Sequence, residues 1–253
     1  MIPVLLYHSV SENPPPGGEW GVVSPALFAA HLDEIEASGR TPITIDELAG
    51  SLRRLRPLPE RPVAVTFDDG YADTYDAIEL LRTRGGRGTV YVTTGEIGWP
   101  GRLSAAAIAE LADLPDVQVG AHGVNHLRLD ELSDDEVANE VLASKSTLED
   151  TVQGRVDSFS YPHGAYDARV RSAVTGAGYS SAAAVKNALS HRGDDPFAIA
   201  RWTVTASVSH GRLAEVLNGV GVPLAWNRER LRTRAYRTVR RQRRRLFRAH
   251  ARD

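Results

Sequence analysis

Short apolar runs alternate with amphipathic segments from one end of this chain to the other, and that alternation limits its fold more than any other feature. The runs are Ile2–His8, Pro62–Asp68, Gly88–Thr93, Val117–Ala121, Asp157–Tyr161, Tyr179–Ala184 and Ala198–Val204. They are rich in Val, Leu, Ile and aromatic residues, as strands buried on both faces are. Between them lie predicted helices. Ser24-Pro25 supplies a cap and a first-turn proline before Leu27, Phe28, Leu32 and Ile35, and Gly39 closes that helix. Asp46–Leu55, Asp73–Arg84, Ser104–Leu111, Ser133–Val152 and Asp167–Gly176 follow, and Ser133 with Glu136 makes a capping-box pattern. Strands that alternate with helices imply a parallel sheet, open or closed into a barrel.

At 253 residues, the chain suffices for one large α/β barrel or two small domains. It contains no cysteine, so disulfides and thiolate metal sites are excluded and a metal must use His and Asp. Met1–His8 reads as a strand rather than a secretory leader, and no apolar run approaches the ~20 residues of a membrane span. The net charge of -2 hides an asymmetry. Residues 228–253 hold twelve arginines against Glu229 and Asp253, a charge of +10, which leaves -12 for the rest. The expected division is therefore a barrel over 1–224 and an Arg-rich helical tail over 225–253. That tail reads either as a solvated charged end or as a cationic helix against anionic lipid headgroups. Nucleic acid is the less favoured partner, because no recognition motif accompanies the charge. These features predict a cytoplasmic protein, peripheral on the inner face of the membrane under the second reading of the tail.

The chemistry concentrates where strands end. Val63–Phe67 runs into two adjacent carboxylates and a glycine, Asp68-Asp69-Gly70. Some fifty residues on, His122 and His126 stand four apart, a spacing that places two imidazoles on one face of a helical turn. One carboxylate and two imidazoles make three ligands for a divalent metal. Side chains alternate along a strand, so the second carboxylate can face an attacking water. Alone, Asp-Asp-Gly would be a strand-end turn with a helix cap at Asp73. Tyr161-Pro162-His163-Gly164 is a turn that aims backbone N–H groups toward the same site, where one could hold an oxyanion. His8 closes another apolar strand. All of these fall at strand C-termini, where parallel α/β folds build their active sites.

Thr66-Phe67-Asp68-Asp69-Gly70, His122 with His126, and Tyr161-Pro162-His163-Gly164 resemble the first three motifs of the NodB-homology polysaccharide deacetylases, the fourth carbohydrate esterase family. The resemblance spans about residues 2–205 and implies a distorted (β/α)7 barrel that removes acetyl groups from N-acetylated sugars. It makes Asp68 the catalytic base and Asp69, His122 and His126 the metal triad. The metal would be zinc, with cobalt or nickel as alternatives. His163 falls where the family generally has a tyrosine whose backbone N–H faces the oxyanion. The family's last motif, an apolar strand ending in the general acid His, has no counterpart after Trp202. Val4-Leu5-Leu6-Tyr7-His8 precedes the Asp-Asp motif instead, as in the circularly permuted branch that resembles poly-N-acetylglucosamine deacetylases, and His8 then becomes the general acid.

Three departures accompany the resemblance. Gly123 replaces the Ser or Thr that commonly follows the first metal His. Ser160 stands where many members have an Arg that contacts the base. Arg201 either substitutes for that cation beside Asp68 or pairs only on the barrel rim. Trp20, Tyr71, Trp99, Tyr161 and Tyr166 are predicted substrate-binding aromatics, each with the alternative of a loop anchor or core filler. Ser207–Gly211 reads as the opening of a helix, and His31, His191 and His250 as surface residues. The leading expectation is a metal-dependent sugar N-deacetylase acting on a glycan, a lipid-linked sugar or a glycosylated metabolite. The alternatives are an O-deacetylase or non-sugar amidase on the same site, or a catalytically silent glycan-binding barrel.

Overall fold

The computed structural model describes residues 1–13, 21–226 and 240. In chain order its elements are β1 (Val4–Tyr7), β2 (Ser9–Val10), β3 (Val22–Val23), α1 (Pro25–Ala37), β4 (Thr41–Ile43), α2 (Ile45–Leu52), β5 (Pro62–Phe67) and α3 (Thr74–Thr83). Then come β6 (Gly88–Val92), α4 (Ala105–Asp113), β7 (Val117–Ala121), α5 (Asp134–Val152), β8 (Ser158–Ser160), α6 (Ala168–Gly176), β9 (Ser181–Val185), β10 (Ile199–Thr203) and α7 (His210–Leu217). Each strand and helix predicted before residue 205 is present, within a few residues at its ends. α7 begins where Ser209 caps it, as its sequence suggests. Trp20 and nearly all of the Arg-rich tail lie outside the described residues. Within that tail Arg240 is described, with Nε 2.9 Å from Glu131.

Seven parallel strands close a ring in the order β1-β10-β9-β8-β7-β6-β5, and β1 pairs with β5 to seal it. With the helices between its strands, the ring is a (β/α)7 barrel, as the resemblance implies. The sequence reading passed over β4, a three-residue strand containing Pro42. It lies outside the ring and pairs with the first half of β5, Thr41 opposite Pro62 and Ile43 opposite Ala64. Its brevity and its proline mask the strand pattern.

The strand period sorts side chains into two shells. Leu5, Tyr7, Val63, Val65, Phe67, Val90, Val92, Val119 and Phe159 face the helices and form the larger core. Their neighbours in sequence face inward. At the N-terminal end of the barrel the interior is apolar: Val4, Ala64, Ala183 and Ile199 pack with Ile45, Leu48 and Ala49 of α2, which plugs that end. The plug is anchored by its own first turn, whose N–H groups lack helical partners. The Ile45 N–H donates to Thr89 Oγ1 (3.0 Å) and the Asp46 N–H to Gln118 Oε1 (2.9 Å). Toward the C-terminal end the inward file turns polar, through Thr66, Ser158, Ser160 and Arg201, all buried. Parity alone thus carries Asp68, His122 and His8 to the mouth of the barrel, each one residue past a strand end.

Gly120 shows how tightly the interior is filled. A Cβ there would sit 2.6 Å from the Tyr91 ring and 2.9 Å from the Ser158 carbonyl oxygen. Gly120→Ala should destabilise the barrel by about 1–3 kcal/mol through overpacking. Urea denaturation checks this, and a midpoint equal to wild type would refute it.

Candidate active site

Three strand ends deliver the reactive groups. β1 and β5 run in register with Tyr7 opposite Phe67, so His8 and Asp68 leave the ring side by side. The Asp68 N–H donates to the Tyr7 carbonyl at 3.0 Å. The chain then turns through two consecutive positive-φ residues, Asp69 (φ +75°) and Gly70 (φ +74°). This left-handed step brings the Asp69 carboxylate back beside that of Asp68, where a straight strand would have sent the two to opposite faces. After β7, the His122 N–H donates to the Val92 carbonyl at 2.9 Å.

Asp68 is 2% exposed and is held by a fork from the fully buried Arg201. Nη1 meets Oδ1 at 2.6 Å and Nη2 meets Oδ2 at 2.7 Å. Ser160 Oγ donates to Oδ2 at 3.1 Å and accepts from Arg201 Nη2 at 2.7 Å. Arg201 therefore lies inside the barrel and not on its rim. The residue missing at Ser160 is compensated from β10, with the small Ser160 side chain making room for the guanidinium. Burial pushes the Asp68 carboxyl up, but Arg201 and then His122 outweigh it and hold Asp68 below the usual carboxylate range. A carboxylate kept ionised, oriented and dry is the form a general base requires.

Asp69, His122 and His126 converge beside it. Asp69 Oδ1 lies 3.4 Å from His122 Nε2 and 3.3 Å from His126 Nε2. One ligand atom from each residue falls within 4.8 Å of the others. Asp69 Oδ1 is buried and accepts no hydrogen bond. His122 Nδ1 donates to the Ser160 carbonyl at 2.8 Å, so in the neutral ring Nε2 is the lone-pair nitrogen facing the carboxylates. Burial pushes the His122 imidazolium down, but Asp68 and Asp69 outweigh it and raise it, so Nε2 readily takes a positive charge, a proton or a cation. Burial drives the His126 imidazolium down to about 4, with His122 adding to the shift, so this ring is a neutral donor at neutral pH. A buried carboxylate oxygen without a partner between two nitrogens is what a divalent cation would satisfy, and an Asp-His-His donor set suits zinc with open positions. One expectation is corrected here: residues 122–126 are not helical. The two rings meet because the backbone turns through Gly123 (φ +76°) and brings in His126 at φ +52°.

His8 is buried against this group, and Gly21 leaves space for it. A Cβ on Gly21 would come within 3.2 Å of the His8 ring. Burial pushes the His8 imidazolium down, and Asp68 and Asp69 pull it partly back. The chain just past His8 is tied down by Asp73, which accepts from Ser9 Oγ (2.6 Å) and the Val10 N–H (3.1 Å). Asp73 thus pins β2 and makes no side-chain cap on α3, contrary to its sequence reading. Just before His8, Tyr7 OH bonds His31 Nδ1 (3.1 Å), and His31 Nε2 donates to the Val208 carbonyl (2.8 Å). His31 is therefore a buried strut and not a surface residue.

The third motif forms a short 3-10 turn, Pro162–Gly164, with His163 at φ +57°. Its exposed ring packs on His126 with centroids 4.4 Å apart. Gly164 is required there, since a Cβ would meet Val185 at 3.0 Å. The predicted aromatics divide. Tyr161 is fully buried, bonds the Phe197 carbonyl through its hydroxyl (3.1 Å) and stacks on Tyr166 at 4.4 Å, so it is core and offers no face to a sugar. Tyr71 is buried beneath the Arg102 guanidinium, 4.0 Å above its ring, which takes that face. Tyr166 is half-buried with one face on Tyr161. Trp99 is 62% exposed on the loop after β6, among the loops at the strand C-termini. The sequence reading passed over Glu140, buried on α5. Its signal was a charge inside an apolar stripe, with Val137, Val141, Ser144 and Leu148 at helical spacing around it.

The family model described as polysaccharide deacetylase matches residues 56–182, just over half of the chain. The chain is 27% identical over 209 residues to YxkH of Bacillus subtilis (strain 168), a provisionally named polysaccharide deacetylase, covering 82% of this chain and 73% of that one. The deacetylase PplD of Streptococcus pyogenes, solved in complex with acetate, superposes with a TM-score of 0.78 at 22% identity, covering 85% of this chain and 97% of the other. IcaB from Ammonifex degensii gives 0.72 at 24% identity, covering 85% and 96%.

The Asp68–Arg201 pair makes a pH-dependent contribution of known sign. A depressed carboxyl stabilises the fold above its ordinary value of 3.8, and that contribution is lost as the pH falls through the folded value. Arg201→Met should cost about 3–5 kcal/mol at pH 7, because a buried charge loses its partner. Without Arg201, burial raises the Asp68 carboxyl above 3.8, so the difference from wild type should start to narrow above that pH and go on narrowing as the pH falls through the depressed wild-type value. Urea denaturation across a pH series measures this; a penalty constant with pH would mean that Arg201 only fills space.

Proposed function

This chain belongs to the polysaccharide deacetylase family, and from that premise we propose that it is a metal-dependent hydrolase that removes the acetyl group from an N-acetylated sugar. Deacetylation of sugar substrates is the family's activity. The observation that carries the finer reading is the pairing of an Arg201-clamped Asp68, outside the ligand set, with the Asp69–His122–His126 cluster at the same barrel mouth. A silent binding barrel has no use for a buried, ionised acid beside its cation site.

A bound divalent cation would be held by Asp69, His122 and His126, and would supply Lewis acidity toward the amide carbonyl and a lowered pKa for water. Asp68 takes the proton from the attacking water, and Arg201 keeps that carboxylate ionised and aimed. The backbone N–H of His163 donates to the oxygen of the tetrahedral intermediate. His8, on the neighbouring strand end, gives a proton to the departing nitrogen, which would otherwise leave as a strongly basic anion. The products are acetate and a free amine. Trp99 is the aromatic best exposed to lie against a sugar ring.

Acetate release from N-acetylglucosamine oligomers, beside metal analysis, tests this reading. Asp68→Asn and His8→Ala should each lower the rate about 100-fold or more while metal stays bound. Asp69→Ala should lose both metal and activity, and retention of both would overturn the ligand assignment. Parallel assays on O-acetylated sugars decide between the amide and the ester as the bond cleaved.

A further inference from the structure

We propose that Glu140 is the positioning residue for the metal-ligand loop, taking up the support that a side chain at position 123 does not give in this chain. The inference rests on the Asp69–His122–His126 reading above. The segment from Gly123 to Asn125 has no helical or strand partners, so its peptide groups must be satisfied from elsewhere. Its carbonyls point to the turn after β6: the Thr94 N–H donates to Gly123 O (3.1 Å) and the Gly95 N–H to Val124 O (2.9 Å). Its N–H groups point the other way, to α5. Glu140 Oε2 accepts from both the Val124 N–H (2.8 Å) and the Asn125 N–H (3.0 Å), and Oε1 accepts from Asn125 Nδ2 (2.6 Å). The loop between the two imidazoles is thus clamped on both faces, and Glu140 supplies one entire side.

A packing role does not account for this residue. Glu140 is 3% exposed and sits in the buried stripe of α5 among Val137, Val141 and Ser144, where leucine would pack without a desolvation cost. Both of its oxygens are committed to residues 124 and 125, directly between His122 and His126. Charge-assisted bonds to three donors fix a loop more firmly than neutral ones do.

Gly123 belongs to the same device. Its φ of +76° strains any other residue, and a Cβ on it would stand 3.0 Å from Glu140 Oε2. A side chain at 123 would therefore press on the carboxylate that braces the loop and oblige it to shift. A serine there would be strained by its φ and would displace Glu140 Oε2 from its present position.

The test compares wild type, Glu140→Leu, Glu140→Gln and Gly123→Ser by zinc competition against a chromogenic chelator. Amide exchange of Val124 and Asn125 is read alongside in the metal-free protein. Glu140→Leu restores an apolar stripe to α5 without an acceptor. It should weaken zinc binding about 10- to 100-fold, the usual cost of losing a group that orients ligands, and should speed exchange at Val124 and Asn125 while Val141 and Leu148 stay protected. Glu140→Gln keeps an oxygen for the two N–H groups, and Asn125 can rotate its amide to accept from the new NH2, so most of the affinity should return. Gly123→Ser should weaken zinc about tenfold or more, and by a smaller factor when Glu140→Leu is already present, since one source of the clash is then gone. Wild-type zinc affinity in Glu140→Leu overturns the proposal, as does weakened affinity with unchanged protection at 124 and 125. If Glu140→Leu fails to fold, Glu140→Ala replaces it with the same expected and refuting results. Wild type that binds zinc yet releases no acetate counts against the deacetylase reading and leaves the role of Glu140 standing. Wild type that binds no zinc removes the metal reading, and exchange at 124 and 125 still decides whether Glu140 holds the loop.

Discussion

The ion pair between Arg201 and Asp68 is the constraint on which the rest of the barrel mouth depends. Two buried charges are expensive to desolvate, and they are tolerated only when geometry is good and their remaining valences are filled. The first condition holds, and the second holds for every group of the pair except Arg201 Nε, which is buried without an acceptor. The fork is bidentate, Ser160 bridges its two halves, and Thr66 accepts from the guanidinium at 3.3 Å. These partners come from β5, β8 and β10, so one interaction ties together strands far apart in sequence and fixes the direction of a carboxylate.

Around that pair the interior follows a gradient. The end plugged by α2 is dry and apolar, and the open end is a layer of hydroxyls, carboxylates and imidazoles. Small inward residues let the polar layer sit deep, below the loops, where water is scarce and electrostatic interactions are strong. The backbone contributes as well. Asp69, His126 and His163 all adopt positive φ without being glycine, and all three border the proposed cation site. They are three of the six such residues among those described, the others being Arg54, Gln153 and Asn187, and their conformations are maintained by the surrounding contacts.

Much of this was legible in the sequence. Apolar runs located the strands, the resemblance in Thr66–Gly70 and His122–His126 identified the family, and strand-end placement grouped the reactive residues. Other features were not legible, for physical reasons. The spacing of His122 and His126 suggested a helical turn, but spacing reports separation along the chain and not conformation, and Gly123 and His126 turn the other way. Tyr161 lies inside a motif, yet its hydroxyl finds the Phe197 carbonyl and its ring finds Tyr166, contacts visible only in three dimensions. Whether Arg201 lay at the rim or in the core depended on the volume freed by Ser160, a pairing 41 residues apart. Glu140 left a trace, a charge in an apolar stripe, but nothing in the sequence says which loop it faces.

The ring is sealed by β1, which sits between β5 and β10 and carries His8 at its tip. The opening strand of the barrel must therefore wait for a neighbour almost two hundred residues later before it gains its second edge. Contacts so distant along the chain form late and slowly. A chain folded only as far as β9 has the strands that carry His8, Asp68, Asp69, His122 and His126, but it lacks the guanidinium from β10 that fixes Asp68. Closure of the ring and orientation of the Asp68 carboxylate are thus tied to the same late-arriving strand.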